Sequence, residues 1–236
     1  VLSVTSNGSE ITVFTEYLPP YQIKNSDGSL GGFSTDVVHA LFKKTGDTPK
    51  IQVLPWARAY ALSLNKKNSM IFSIAKTKSR LANFHWVGDL SFSKYYLWGL
   101  ASNKKIANFS LKQLKSYHVA ASRDSNEHEY LTSHNFKHIY PVVSANQSIK
   151  MLYNQRIDLI IRAEFDLITL TTKLDLNFSQ LIKLIVIDEL DTTLSIALNR
   201  SSDFELVKKY QQAFLQLINS GQLEALQKKW NVPETK

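Results

Sequence analysis

Cysteine is absent from the 236 residues. That excludes disulfides, thiolate zinc sites and a cysteine-linked lipid anchor within this sequence, and it leaves the compartment open, because cytosolic and bacterial periplasmic proteins alike can lack the residue. Long apolar runs are missing too: no stretch approaches the roughly 18 consecutive apolar residues of a membrane-spanning helix. There is no phosphate-binding P-loop, no dinucleotide glycine fingerprint and no Gly-x-Ser-x-Gly elbow, so nucleotide binding and acyl transfer of those kinds are not expected. The opening stretch, Val1 to Glu10, carries no basic segment followed by an apolar one. The expectation is that a signal peptide, if one was made, has been removed.

What is present is ordinary for a folded chain: 44% hydrophobic and 20% charged residues, and a length that suits one large domain or two of about 110 residues each. A net charge of +8 raises nucleic acid or another polyanion as a partner. The cations, however, are scattered as pairs (Lys43-Lys44, Lys66-Lys67, Lys104-Lys105, Lys208-Lys209, Lys228-Lys229) near expected helix ends, where they favour the dipole. With no nucleic-acid motif beside them, solvated helix termini are the preferred reading and no nucleic-acid partner is expected.

Taken in order, Ile11 to Thr15 reads as a strand, Tyr17 to Tyr21 as a loop stiffened by Pro19 and Pro20, and Asn25 to Gly28 as a tight turn. A helix capped by Ser34 is expected to run to Gly46, followed by a strand at Ile51 to Leu54 and a helix opened by Pro55. Met70 to Phe72 reads as a short buried strand, which puts Arg80 one turn past its end, where open α/β sheets hold their ligands. Arg80 is therefore a candidate anion clamp, its fork of donors matched to a carboxylate, with the hydroxyls of Ser73 and Thr77 near enough in sequence to share the anion. The competing reading is a solvated surface charge.

Beyond Arg80, a long strand is expected at Tyr95 to Ala101. The α/β pattern then restarts, with strands at Tyr117 to Ala121 and Ile157 to Ile161 and helices at Ser125 or Asn126 to His134, Ala145 to Asn154 and Phe165 to Leu174. Two strands follow, Leu184 to Ile187 and Thr192 to Leu198. A capping box at Ser202-Asp203-Phe204-Glu205 opens a helix to Ile218, and a last helix spans Leu223 to Trp230. Alternating strands and helices imply parallel β-α units. The repeated logic suggests two similar lobes, with the terminal helices packing back on the first.

The order and spacing of these pieces resemble the family 3 bacterial extracellular solute-binding proteins, the polar amino acid binding components of ABC importers. The resemblance rests on the strand followed by Pro19-Pro20-Tyr21, Asp27-Gly28, Gly32-Phe33 with Asp36, Thr77-x-x-Arg80, Asn154-Gln155-Arg156-Ile157-Asp158, and Ile218-x-x-Gly221 before a terminal Lys229-Trp230. It covers Ile11 to Trp230. It implies an α/β fold of the two-lobed, type II periplasmic-binding-protein class, with two hinge strands and flytrap closure on a small ligand. Lobe 1 would be residues 1–96 plus 190–236 and lobe 2 residues 97–189, with crossings near Tyr95 to Leu100 and Asp188 to Thr193. By the same resemblance the chain would be a monomeric periplasmic binder, not an enzyme, with no cofactor. Its partners would be a small polar, carboxylate-bearing ligand and an ABC permease or membrane receptor.

Residue by residue, the resemblance implies that Arg80 binds the ligand carboxylate, with Ser73 and Ala75 beside it and the helix start at Ser125 and Asn126 adding donors. Ala75 has lost the family's hydroxyl. Where the family has an Asp for the ligand ammonium, this chain has Ala163, followed by Glu164. Either Glu164 or Glu16 takes over that duty, or the ligand is not an ordinary α-amino acid. Tyr17, Tyr21 and Trp56 are the aromatic candidates for stacking on the ligand, while Tyr60 reads as core. Arg58, Arg123 and Arg162 either line the site, favouring an acidic ligand, or two of them are surface residues. His128, His134 and His138 read as solvated, and no metal site is expected. Two alternatives remain: a sensing domain that signals to a membrane partner, and an enzyme resembling the dehydratases of cyclic acids, with Glu164 as general acid or base.

Overall fold

The computed structural model describes residues 9–234. Residues 1–8, which carry most of the stretch read for a leader, and residues 235–236 lie outside the described residues. In chain order the elements are β1 (Glu10–Thr15), β2 (Ile23–Lys24), β3 (Leu30–Gly31), α1 (Phe33–Thr45), β4 (Thr48–Val53), α2 (Trp56–Asn65), β5 (Met70–Ala75), β6 (Phe84–Ser93) and β7 (Tyr95–Leu100). They continue with α3 (Leu111–Leu114), β8 (His118–Ser122), α4 (Asn126–Ser133), β9 (His138–Val142), α5 (Ala145–Tyr153), β10 (Leu159–Ala163) and α6 (Glu164–Lys173). The last are β11 (Leu181–Val186), β12 (Thr192–Asn199), α7 (Phe204–Asn219) and α8 (Gln222–Trp230).

The chain divides into two compact units. Unit 1 holds the residues up to Leu54, Arg58–Phe92 and Thr193 onward; unit 2 holds Pro55–Ala57 and Ser93–Thr192. Apart from the short excursion of Pro55–Ala57, the chain passes between units at Phe92–Ser93 and Thr192–Thr193, and Tyr95 to Leu100, expected at a crossing, is the sheet strand β7 of unit 2.

In unit 1 a five-stranded sheet runs β4-β1-β5-β12-β6. β1 pairs parallel with β4 and β5, while β12 pairs antiparallel with β5. All six residues of β5 are buried, as suits a strand covered on both faces. α1 turns Val37, Val38, Leu41 and Phe42 inward, and Phe42 meets Tyr210 of α7 edge-on at 5.3 Å. The start of α1 departs from expectation. Its cap is Gly32 at φ +107°, and Ser34 lies inside the first turn, buried. A Cβ at Gly32 would sit 2.5 Å from the Tyr21 carbonyl oxygen, so the tight loop after Pro20 requires glycine there. At the far end α1 stops at Gly46 in the left-handed region, as expected. The capping box read at Ser202 does not form either: Asp203 caps α7, and its carboxylate accepts from Asn68 and pairs with Lys67.

In unit 2 a second five-stranded sheet runs β11-β7-β10-β8-β9. β8 is parallel to β9 and β10, and β7 is antiparallel to β10 and β11. The alternating faces of β10 feed two cores: Leu159 and Ile161 pack with Leu97, Val119 and Leu131, and Ile160 packs with Trp98, Ile149 and Leu167. Both sheets are therefore mixed, where parallel units alone were expected. The reason is that β7 and β12 each enter their sheet directly, without a crossover helix to return the chain in the same direction. Four strands escaped the sequence reading: the two-residue pair β2 and β3 flanking the Asn25–Gly28 turn, β6, whose burial does not alternate, and β9, whose Pro141 is tolerated because β9 lies at the sheet edge.

Candidate functional site

In unit 1 the polar groups gather after β5. Lys76 N donates to the Thr193 carbonyl at 3.1 Å, and Arg80 N to the Thr77 carbonyl at 3.0 Å, so the Thr-x-x-Arg spacing closes a turn at the strand's end. The Thr77 hydroxyl, half-buried, hydrogen-bonds to that of Ser79 at 2.9 Å. Arg80 is fully buried (0% exposed), which overturns the surface-charge reading. Its guanidinium lies 4.8 Å over the ring of Tyr60 on α2, and Tyr60 in turn packs against Phe84 with ring centroids 6.1 Å apart. A cation on an aromatic face inside the fold is attracted to the ring quadrupole.

Other residues expected around Arg80 stand differently. The Ser73 hydroxyl accepts from the Gln22 side-chain amide and donates to the Ser34 hydroxyl at 2.9 Å. Its one proton is thus used inside the fold, a correction to its reading as a donor to a ligand. Ser73 has φ +56°, beside the register shift of β12 between Ser195 and Ile196. Ala75 is buried and apolar. Tyr21, read as a stacking ring, is core: it is 1% exposed, edge-on to Phe33, with its hydroxyl 3.4 Å from Ser91 Oγ. Glu16 is half-buried and Tyr17 exposed, and Arg58 is exposed on α2.

In unit 2, Trp56 is buried and its indole N–H donates to the Asp124 carbonyl at 2.8 Å. Ser125 caps α4, accepting from His128 N at 3.2 Å, and Asn126 follows it, buried. Glu164 does not stand free for a ligand ammonium. Its carboxylate pairs with Lys183 at 2.6 Å, and that ammonium also lies 4.5 Å over the Tyr96 ring. Ala163 is buried at the cap of α6. Of the three arginines left open, Arg123 is exposed, like Arg58, and Arg162 is buried.

Arg162 organises a cluster that the sequence reading missed. Its Nη1 lies 3.7 Å from Glu127 Oε1 and 3.7 Å from Asp166 Oδ2, with all three side chains buried. Burial raises the Asp166 carboxyl to about 7 against the opposing pull of Arg162. The Tyr95 phenol, beside Asn126 and facing the same carboxylates, is pushed well above its ordinary value, first by burial and then by Glu127 and Asp166. Arg162 is the penultimate residue of β10, while Glu127 and Asp166 lie in the first turns of α4 and α6. The signal available in the sequence was the four-residue spacing of Arg162 and Asp166 and the acids at helix starts.

The histidines hold no metal-binding group. Asp124 N donates to His128 Nδ1 at 3.2 Å, and His134 stacks on Tyr130 at 3.9 Å. No cluster of three or more potential metal ligands occurs among the described residues.

The profile of the bacterial extracellular solute-binding proteins, family 3, matches residues 11–233. The chain belongs to that family. Among solved structures this family 3 chain resembles a histidine kinase sensor domain similar to periplasmic binding proteins (18% identity, TM-score 0.85, covering 96% of this chain and 98% of that one). It also resembles an arginine-specific periplasmic binding protein from Salmonella typhimurium (15% identity, TM-score 0.80, 94% and 99% covered). A third likeness is to the GluR0 ligand-binding core from Nostoc punctiforme in complex with L-glutamate (21% identity, TM-score 0.78, 93% and 98% covered). These likenesses establish the two-lobed binding-protein fold. No match was found among curated proteins. Among the described residues of this family 3 chain, no helix is long and apolar enough to cross a membrane.

Proposed function

We propose that the chain is a periplasmic solute-binding protein that captures a small polar ligand, an amino acid or a related carboxylate, for an ABC importer. The observation that carries this reading is Arg80, wholly buried at the carboxyl end of β5, held by a local turn and backed by the face of Tyr60. A buried guanidinium at a strand's end is a site for a carboxylate, which it meets with two parallel N–H donors. In this reading Thr77 adds a donor beside Arg80 in unit 1, and the start of α4 at Ser125 and Asn126, with Trp56, supplies donors and an aromatic wall in unit 2. In this reading the protein works by binding, without turnover, and incubation with prephenate or arogenate is expected to give no product.

The test is a thermal-shift screen of the wild type and Arg80→Ala against amino acids, small di- and tricarboxylates, polyamines and short peptides. A ligand at 100 times its Kd stabilises the native state by about 2.7 kcal/mol, a shift of several degrees. Carboxylate ligands that shift the wild type and not the variant support the reading; equal shifts in both remove Arg80 from the site. A second reading, a sensing domain that reports ligand to a membrane partner, is favoured by the likeness to the histidine kinase sensor domain. It predicts that ligand-bound protein fails to stimulate any importer ATPase reconstituted with it, whereas the importer reading predicts stimulation.

A further inference from the structure

Unit 2 is nearly neutral as a whole, with twelve Lys and Arg against ten Asp and Glu. Its charge is nonetheless polarised along the sheet. Eight of the ten acids follow the carboxyl ends of β8, β10 and β11: three at the start of α4, two in the first turn of α6 and three after β11, which runs with β10 because both oppose β7. The starts of the same strands are basic. Lys115 and Lys137 precede β8 and β9, and the Lys137 N–H donates to the Lys115 carbonyl at 2.9 Å. Arg156 precedes β10, and Lys104 and Lys105 follow β7, which ends beside the start of β10. The last turns of α5 and α6 return to this end with Lys150 and Lys173.

Six of these seven cations are exposed and Lys115 is half-buried. None of them pairs with an acid among the described residues, whereas Arg162 and Lys183 toward the other end do. Of the two acids at the basic end, Asp158 is engaged: it accepts from the His118 N–H at 3.0 Å and lies 3.4 Å from the His118 ring nitrogen. The dipoles of α5 and α6 account for Lys150 and Lys173. Lys104, Lys105, Lys137 and Arg156 lie in connections between elements, so helix ends do not explain them. Like charges gathered without acids repel one another, and an anionic partner relieves that repulsion.

We propose that this end of unit 2 is a docking surface for a bilayer that contains anionic lipid. Four to eight Lys and Arg on one face are the signature of anionic headgroup binding. All but one of the seven are Lys, a compact point charge suited to a diffuse anionic surface; the planar fork of Arg serves shaped sites, and Lys is depleted at protein interfaces. A cavity of about 420 Å³ at this end, lined in part by Ser102, Asn103, Gln155 and Asp158, offers polar groups to a headgroup. Of the exposed apolar side chains of unit 2, Val143, Ile168 and Val186 lie away from this end and Tyr140 is set two residues into β9. The contact is therefore with headgroups and not with acyl chains. It turns the carboxyl ends of β8 and β10, with Ser125 and Asn126, away from the bilayer.

The experiment is flotation of the full chain with vesicles of phosphatidylglycerol and phosphatidylcholine in equal parts, and with vesicles of phosphatidylcholine alone. The variants are Lys115→Glu/Lys137→Glu/Arg156→Glu and the milder Lys104→Gln/Lys105→Gln. A control, Lys43→Glu/Lys44→Glu/Lys66→Glu, changes the net charge as much as the first variant at exposed positions of unit 1. The expected result is binding to the anionic vesicles alone, weakened by about fivefold for each cation removed. That is at least about 100-fold in the triple variant and about 25-fold in the double, with the control unchanged. Salt at about 1 M, which shortens screening to about 3 Å, should abolish binding. Thermal melts establish that each variant is folded, and the double variant carries the test if the triple does not fold. No binding to anionic vesicles, equal binding to both kinds, binding that survives high salt, or an equal loss in the control overturns the proposal. Tighter binding to duplex DNA than to vesicles, lost in the same variants, assigns the surface to nucleic acid and likewise overturns it. These variants leave Arg80 and the start of α4 intact, so small-ligand thermal shifts are expected to persist in them whatever the vesicles show.

Discussion

Each unit buries one arginine near the carboxyl ends of its parallel strands, but in opposite surroundings. In unit 1, Arg80 rests on the aromatic face of Tyr60 and is fixed by a turn of four residues. In unit 2, Arg162 sits between two carboxylates delivered by two different helices. An aromatic face attracts a guanidinium without cancelling its charge, whereas two carboxylates overcompensate it. The first sets a guanidinium on a ring; the second sets one guanidinium against two acids, one of them raised to about 7 by burial.

The comparison can be broken at four points. The largest effect is expected for Arg162→Leu, which strands two buried carboxylates. A loss of about 3–5 kcal/mol is expected, read as a melting temperature lower by about 10 °C, and an unchanged melt would show that Arg162 is not what holds the cluster. Next, Arg80→Ala should weaken any carboxylate ligand at least 100-fold, about 2.7 kcal/mol, as measured by calorimetry. The third change is expected to stabilise. The Asp166 carboxyl lies at about 7 in the folded protein, above its ordinary value of 3.8. Its contribution is therefore fully present below about pH 4 and is lost as the pH climbs toward 7. The rise corresponds to at most about 4 kcal/mol. With relaxation around Arg162, Asp166→Asn should gain about 2 kcal/mol at pH 8 and little at pH 4.5 in denaturant melts; equal gains at both would detach the effect from ionisation. The smallest is Tyr60→Leu, which removes the aromatic backing of Arg80 and should weaken carboxylate binding by about 1 kcal/mol. If it did not, burial alone would account for the placement of Arg80.

How much was legible follows from how local each feature is. The Thr77–Arg80 turn was readable because a strand, a four-residue turn and an arginine are contiguous, and the structure closes them with one backbone hydrogen bond. The capping Ser125 was readable for the same reason. Tyr21 was not: a tyrosine after two prolines looks exposed until Phe33 and Ser91 are packed around it. The Ser73 hydroxyl looked available until Gln22 and Ser34, from other parts of the chain, took both of its roles. Glu164 was the nearest acid in sequence to the vacant position, yet Lys183 from β11 claims it.

The sequence by itself determined the succession of strands and helices, the family to which they belong and the position of Arg80, because periodicity, turn chemistry and a short motif are written in neighbouring residues. Only the tertiary structure decided which charges are cancelled and which are left over. Charge compensation depends on distances between side chains far apart in the chain, as when α4 and α6 bring Glu127 and Asp166 to the same atom of Arg162, and on the burial that makes a surplus charge costly.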